Sequence, residues 1–325
     1  MQDKIKSYIC LMNTLGKESI PFIFIIDFEI RNIVCLPLKY ISPDEILFDF
    51  NGFKNHSFHP DNCKNIILKK KPVEYERYLK AFNKVQKYFK EGYSYILNLT
   101  FPTEIQINVD IKDIFIQSKA KYKLYFKNQF ITFSPETFIK INDNKIFSYP
   151  MKGTIKADIP EAERILRNNE KERAEHATIV DLIRNDIGQV AKDVKVENFC
   201  YAEKIKTNEG ELLQTSSEIT GELPRNYNEN IGEIIFKLLP AGSVTGAPKK
   251  KTVEIIKKVE EYERGYYTGI FGYFDGKNLD SSVMIRFIEN INGKYYYKSG
   301  GGIMIYSDPL AEYKELLDKV YVPSV

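Results

Sequence analysis

Three consecutive glycines followed by a capped helix constrain this chain more than any other stretch. In SGGGIMIYSDPLAEYKELLDKV, residues 299–320, Gly300, Gly301 and Gly302 permit backbone angles closed to other residues. They also let a ligand approach the main chain closely. After the apolar Ile303, Met304 and Ile305 comes Ser307-Asp308-Pro309, an N-cap followed by proline at the first helical position, so a helix is expected over 309–320. On it Glu312, Glu315 and Lys319 are spaced three and then four residues apart and share one face. Such a face is either solvated, with Glu315 paired to Lys319, or turned toward a ligand.

The same device recurs in NEKERAEHATIVDLIRNDIGQVA, residues 169–191, where Glu172 and Glu175 are again three apart. The apolar Ile179, Val180, Leu182, Ile183, Ile187 and Val190 mark this second helix as largely buried. Carboxylates gathered together repel one another and lose hydration, which a divalent cation between them relieves. An all-oxygen site with few protein ligands suits Mg²⁺.

The 325 residues carry 47 basic and 44 acidic side chains, a net charge of +3, so no global field points to nucleic acid or to an anionic membrane. Residues that are 43% hydrophobic and 13% aromatic supply ample core. Cys10, Cys35, Cys63 and Cys200 form no CxxC pair, and the histidines are His56, His59 and His176. Neither a zinc site nor a disulfide framework is expected, in keeping with a reducing cytoplasm. The longest purely apolar run, Phe22–Ile26, is too short to span a bilayer, and the N-terminus lacks a signal peptide's apolar core.

Strands are expected in PFIFIIDFEI and NIVCLPLKYI, between residues 21 and 48. Over 73–90, Tyr78, Leu79, Phe82, Val85 and Phe89 form the stripe of an amphipathic helix that Gly92 stops. Strands follow at 95–100 and around 105–109, 122–126, 129–133, 138–141 and 145–149. With no repeat or low-complexity linker, the pattern implies one α+β domain over 1–325. Its core is sandwich-like, mostly antiparallel sheet, covered by helices at about 73–91, 160–191, 230–238, 249–261 and 309–320.

Several short stretches carry chemistry. In SPETF, 134–138, Glu136 ends a strand and is either a turn residue or an acid. In YPMKGT, 149–154, Lys152 lies between a proline and a glycine; it is an exposed cation or, if desolvated, a nucleophilic amine. LLPAGSVTGAPKKKTVEIIKKVE, 238–260, runs a glycine- and hydroxyl-rich loop into a helix and can offer N–H groups and Ser243 or Thr245 to a carboxylate. It lacks the P-loop spacing. YYTGIFGYFDG, 266–276, reads as a strand ending in a turn at Asp275-Gly276. Arg286, in the apolar strand SSVMIRFIEN, needs an anionic partner, either an internal carboxylate or that of a substrate.

Taken in order, PMKGT, AEHATIVDLIRNDIG, PAGSVTGAPK, YYTGIFGYFDG, the Arg286 strand and GGGIMIYSDPLAEYKE resemble the chorismate-utilising enzymes: anthranilate, aminodeoxychorismate, isochorismate and salicylate synthases. The resemblance covers about residues 70–322, and residues 1–70 look like a shortened form of the family's variable N-terminal region. It implies Mg²⁺ held by Glu175 and Glu315 and supported by Glu172 and Glu312. It places Arg286, Tyr267, Ser243, Gly300, Gly302 and Lys319 at the carboxylates of chorismate. Gly153, Thr154, Thr245, Gly301 and Gln214 are counted with these substrate-binding residues, and Glu136 matches the acid that protonates the departing C4 hydroxyl.

Lys152 distinguishes the branches, since anthranilate synthases carry alanine there, whereas aminodeoxychorismate synthases have PIKGT or close variants and use the lysine as nucleophile. The resemblance therefore implies C4 amination toward para-aminobenzoate and folate, with ammonia from a partner glutaminase. Two positions depart from the family. Ile96 replaces a usual Gln, or the Lys of the water-using enzymes, and an aliphatic side chain cannot activate water. Gln214 stands where other members have a histidine, and an amide is a poor proton acceptor. No LLES-type stretch of the kind that binds inhibitory tryptophan is present.

Overall fold

A computed structural model describes residues 2–58, 65–168, 170–207 and 210–323. His59, Cys63 and Asn169, and the outermost ends of the expected 1–325 unit, lie outside the described residues. In chain order the elements are α1 (Gln2–Lys17), β1 (Phe22–Ile26), β2 (Ile33–Pro37), β3 (Ile46–Phe50), β4 (Phe53–Lys54), β5 (Leu68–Lys71), α2 (Tyr75–Lys90), β6 (Ile96–Ile107) and α3 (Ile111–Gln117). Then come β7 (Tyr122–Phe126), β8 (Phe130–Ser134), β9 (Thr137–Asn142), β10 (Lys145–Ser148), β11 (Met151–Lys156), α4 (Ala162–Asn168), α5 (Glu170–Ile187), β12 (Lys192–Thr207) and β13 (Gly210–Glu222). The rest are α6 (Ile231–Lys237), β14 (Gly246–Ala247), α7 (Lys249–Val259), β15 (Ile270–Phe274), β16 (Leu279–Val283), β17 (Phe287–Ile291), β18 (Lys294–Met304) and α8 (Pro309–Asp318).

The strands form two antiparallel sheets of nine strands each among the described residues. One runs β11-β13-β10-β9-β16-β15-β1-β2, with β12 paired to β13; the other runs β14-β6-β18-β17-β8-β7-β3-β4, with β5 paired to β6. They meet face to face, with Ile23, Ile25 and Phe271 of the first packed with Phe48, Leu124 and Phe130 of the second. This is the expected α+β class with a sandwich-like core. Residues 22–54 are integral to it, since β1 and β2 join one sheet and β3 and β4 the other.

Alternation along β6 shows how helices cover the second sheet. Leu97, Leu99 and Phe101 face one way, into a cluster with Tyr78, Phe82 and Val85 of α2, Ile255 and Ile256 of α7 and Leu316 of α8. Ile96 belongs to the other core. The separate expectations at 95–100 and 105–109 are one long strand, β6.

Helix runs over Ala162–Asn168 and Glu170–Ile187, within the span expected at 160–191, and residue 169 between them lies outside the described residues. Two differences from the sequence reading matter. The strand expected around Arg286 is broken: β16 belongs to one sheet and β17 to the other, and Arg286 takes a left-handed backbone, φ 54°, at the crossing. Helix α1 and the long β12–β13 hairpin were not expected at all. Close contact of α1 with α6 needs glycine, since a Cβ on Gly232 would meet the Ile9 carbonyl at 2.6 Å.

Candidate active site

The site begins at an unfinished strand edge. Strand β18 pairs with β6 along its length, from Tyr295 opposite Ile105 to Met304 opposite Ile96. On its other side β17 reaches only to Lys298, opposite Phe287. Residues 299–304 therefore present main-chain groups along an edge that no strand among the described residues covers. The glycines on that edge are surrounded. A Cβ on Gly300 would stand 2.4 Å from the Leu99 carbonyl oxygen, so β6 tolerates nothing larger there. A Cβ on Gly301 would lie 3.6 Å from both Glu312 Oε2 and Glu315 Oε1 and 3.7 Å from Lys319 Nζ. At Gly302 it would lie 3.0 Å from Lys152 Nζ and 3.5 Å from Ile96 Cδ1.

Helix α8 is capped at one end and tied to this edge at the other. The Asp308 carboxylate caps it by accepting from Ala311 N at 2.8 Å, as the sequence implied. Near its other end Ser299 Oγ donates to Leu316 O at 2.9 Å, and Lys319 Nζ donates to Gly300 O at 2.9 Å.

The two acidic pairs reach the same edge. Glu175 of α5 and Glu312 of α8 are buried, Glu172 is half-buried and Glu315 is exposed. Lys152 Nζ on β11 contacts Glu175 Oε2 at 3.3 Å, and Lys319 Nζ contacts Glu315 Oε1 at 2.6 Å. Glu172 Oε2 lies 3.2 Å from where a Cβ on Gly153 would stand, and Gly153 has φ 59°. Among the described residues no three carboxylate, imidazole or thiolate side chains already close around one ion. The donors offered are nonetheless all carboxylate oxygens, with Glu312 and Glu315 converging over a residue that has no side chain.

Glu136 lies in the turn between β8 and β9. Its carbonyl accepts from Ser282 Oγ at 2.7 Å and from Val283 N at 3.3 Å, and its carboxylate accepts a short hydrogen bond from Ser243 Oγ. Protein surrounds the carboxyl and raises its pKa, against the opposing effects of the Ser243 bond and the fields of Lys152, Arg286 and Lys319. A carboxyl so placed keeps its proton to higher pH than a solvated glutamate.

Arg286 donates from Nε to Tyr321 Oη at 3.2 Å and lies 5.2 Å over that ring. It has no carboxylate partner among the described residues, so the internal salt bridge is not what the fold supplies. Burial lowers the pKa of Lys319, Glu315 opposes that shift, and Arg286 and Lys152 reinforce it. Arg286 and Glu136 both act electrostatically on the buried Tyr267. Lys152, Arg286 and Lys319 thus all act electrostatically on Glu136, and Lys152 and Lys319 reach the bare strand edge, an arrangement complementary to a small dianion.

Thr245, Gln214 and Ile96 were also singled out from the sequence. Thr245 is fully buried and its hydroxyl donates to Ala241 O at 3.0 Å and Gly242 O at 3.1 Å, which shapes the loop that carries Ser243. Gln214 is half-buried on β13 with its backbone opposite Thr154, whose side chain lies outside the described residues. Ile96 packs beside Gly302.

Bracing residues escaped the sequence reading. Asp186 Oδ2 pairs with Lys249 Nζ at 2.6 Å, and Lys249 also donates to Leu238 O at 3.0 Å, clamping the 238–249 loop to α5. Arg264 and Glu260 form a second, fully buried pair at 2.6 Å. Their sequence surroundings, KKVEEYERG for Glu260 and Arg264 and GAPKKKT for Lys249, are themselves charged and gave no local signal of burial.

Residues 41–324 match the family described as chorismate binding enzyme. An uncharacterized PabA-like protein of Haemophilus influenzae is 49% identical over 322 residues, 99% of this chain and 98% of that protein. The aminodeoxychorismate synthase component 1 of Escherichia coli is 34% identical over 262 residues, covering 75% of this chain and 56% of that protein. In fold, the menaquinone-specific isochorismate synthase of Escherichia coli is similar, with a TM-score of 0.74 at 14% identity over 98% of this chain and 81% of that one. Because the family match runs through every element that lines the pocket, from β8 to α8, the chain belongs to the chorismate binding enzymes.

Proposed function

We propose that this chain aminates chorismate at C4 to give 4-amino-4-deoxychorismate, in the cytoplasm, with ammonia from a separate glutaminase subunit, for para-aminobenzoate and folate synthesis. The observation that carries this reading is the position of Lys152, whose amine lies 3.3 Å from Glu175 Oε2 and 3.0 Å from the Cβ position of Gly302, at the uncovered strand edge.

Arg286, Lys319 and Ser243, with the main chain of Gly300 to Gly302, bind the two carboxylates of chorismate. Glu175 and Glu315, supported by Glu172 and Glu312, would hold Mg²⁺, which when bound supplies positive charge beside a substrate carboxylate. Lys152, as the free amine, forms a bond to C2 while the ring double bonds shift and the C4–O bond breaks. Glu136 gives its proton to the departing hydroxyl, which leaves as water. Ammonia then bonds to C4, the double bonds shift back, and the C2–N bond breaks. Lys152 leaves as the neutral amine, and a proton of the new ammonium group returns to Glu136. Buried Ile96, beside Gly302, offers no group that could activate water in competition.

The test is incubation of the purified chain with chorismate, Mg²⁺ and ammonium, the products being separated and identified by mass and NMR. The 4-amino product is expected, and its formation should stop with a chelator and fall steeply in Glu175→Gln and Glu315→Gln. Isochorismate, or a 2-amino product leading to anthranilate, as the sole product would overturn the reading. The second of these outcomes is the natural rival, because the anthranilate synthase component 1 of Bacillus subtilis is 31% identical over 307 residues.

A further inference from the structure

Arg264 is among the largest side chains that the fold buries completely. A guanidinium has five N–H donors in a fixed plane. All five are used inside the protein. Nε donates to Glu260 Oε2 at 2.8 Å, and Nη2 donates to Glu260 Oε1 at 2.6 Å and to the Asn98 carbonyl at 2.7 Å. Nη1 donates to the Val244 carbonyl at 2.8 Å and to Thr268 Oγ1 at 3.2 Å. With nothing left to offer a ligand, Arg264 can influence the pocket only through the segments it ties.

Those segments are the ones that carry the pocket. Val244 follows Ser243, the donor to Glu136. Asn98 stands opposite Gly302 in the β6–β18 pairing, and Thr100, opposite Gly300, gives both its N–H and its hydroxyl to Glu260 Oε1 at 2.9 and 2.8 Å. Thr268 follows Tyr267. The backbone of Arg264 is held as well: its N–H and that of Gly265 donate to the Glu29 carboxylate at 3.1 and 3.0 Å, and its carbonyl accepts from Lys298 Nζ at 2.8 Å.

We propose that the buried Glu260–Arg264 pair is a positioning device, which fixes the Ser243 loop, the glycine strand edge and the Tyr267 segment relative to one another so that the chorismate pocket is formed before substrate arrives. A buried ion pair is a poor source of net stability, because desolvation of two charges offsets much of their attraction. What it supplies is direction. A planar fork sets the angle as well as the distance between three chain segments, and displacements of about 1 Å in a catalytic pocket cost on the order of a hundredfold in rate.

The inference rests on the chain acting on chorismate but not on which product it makes, so turnover is read as total chorismate consumption. Failure of the wild type to consume chorismate would count against the functional reading; the ratio of variant to wild type tests the clamp. Arg264→Lys keeps the charge and loses the fork, and Glu260→Gln keeps the shape and loses the charge. Each is expected to stay folded by circular dichroism and to lose roughly tenfold to a hundredfold in kcat/KM. Lys123→Met serves as the control for destabilisation alone. It removes a buried lysine that donates to the Phe115 and Ser118 carbonyls, and it should lower Tm without changing kcat/KM.

A double-mutant cycle separates positioning from stability. If Arg264 acts through the Ser243 loop, Arg264→Lys combined with Ser243→Ala should lose no more than about threefold beyond the worse single variant, whereas independent effects multiply. Thr268→Val, which removes one acceptor of Arg264 together with the hydroxyl's own bond to the Tyr267 carbonyl, carries the test if the charged variants do not fold, and it should raise KM severalfold. Wild-type kcat/KM in folded variants, multiplying losses in the cycle, or an equal loss in Lys123→Met would each refute the proposal.

Discussion

Lys152 Nζ and Glu175 Oε2 stand 3.3 Å apart, joining β11 to α5 beside the bare edge of β18. An ammonium held by a carboxylate is not a nucleophile, so the contact fixes where the amine waits rather than how it reacts. Lys152→Ala should abolish the 4-amino product and leave a folded protein, with any residual amination at C2. Lys152→Arg should fail as well, because a guanidinium stays protonated. Product identification by NMR decides, and 4-amino product from Lys152→Ala at the wild-type rate would sink the covalent route.

Gly302 makes room for that amine. A Cβ there meets Lys152 Nζ at 3.0 Å, and the atom it meets is the far end of a flexible chain. Gly302→Ala should therefore cost little stability while displacing the nucleophile, with a loss of turnover of about tenfold or more. Gly300→Ala should behave in the opposite way. Its Cβ would stand 2.4 Å from a main-chain oxygen that cannot swing aside, so about 1–3 kcal/mol of stability should go. Urea denaturation beside turnover compares the two, and equal stability losses would contradict the contact geometry.

The environment of Glu136 sets the sign of a pH effect. Burial raises its pKa, and the hydrogen bond from Ser243 favours the ionised form and pulls it back. An acid of this kind is active only while protonated, so the rate normalised to free ammonia should fall as pH rises through the Glu136 pKa. Ser243→Ala removes the donor, which should move that limb to higher pH even as the maximal rate drops. A limb that stays in place or moves to lower pH would rule Glu136 out as the titrating acid.

His176 makes stability depend on pH. It is fully buried beside Glu175, its Nε2 lies 2.6 Å from Ser217 Oγ, and burial, with Lys152 adding to the effect, pushes its pKa down to about 4. Above the unfolded pKa of about 6.5 the ring is neutral in both states and its contribution is intact. As pH falls from 6.5 toward 4 only the unfolded chain binds the proton, so on the order of 3 kcal/mol of stability should be lost across that window. His176→Asn should remove this part of the pH dependence, measured by urea denaturation at pH 7 and pH 4. An unchanged slope would show that other groups carry the acid sensitivity.

How much of this was legible in the sequence depends on how local the cause was. Helix α8 was readable because its cap, its proline and its acidic face are contiguous. The register that leaves residues 299–304 uncovered was not, since it depends on β17 starting only at Phe287, after the crossing between sheets, and on β18 pairing with β6, far earlier in the chain. Arg286 was correctly isolated as a charge in apolar company, but its left-handed backbone belongs to a crossing between two sheets that no strand pattern reveals. Glu260 and Arg264 are four residues apart and look like a solvated helix-end pair; only the packing of three distant segments on them makes them buried. The N-terminal helix lacked a recognisable cap, and its contacts with α6 are long-range.

The source of ammonia gives the last prediction. Hydrolysis of glutamine in the usual way needs a cysteine activated by a neighbouring histidine. Among the described residues none offers this: Cys35 is buried with its thiol pushed up to about 12, Cys10 is exposed on α1, and Cys200 is half-buried in a strand bulge. His176 is committed to Ser217, and His56 has both ring nitrogens buried without a partner among aromatic rings. The purified chain should accordingly make its amino product from ammonium, at millimolar or higher concentration and faster at alkaline pH, where more of it is the neutral nucleophile. Glutamine alone should support no turnover until a glutaminase is added, and the gain on adding one should exceed that from the ammonia it releases into solution if the two proteins associate. Glutamine-driven turnover by the chain alone, free of contaminating glutaminase, would show that it carries its own hydrolytic site.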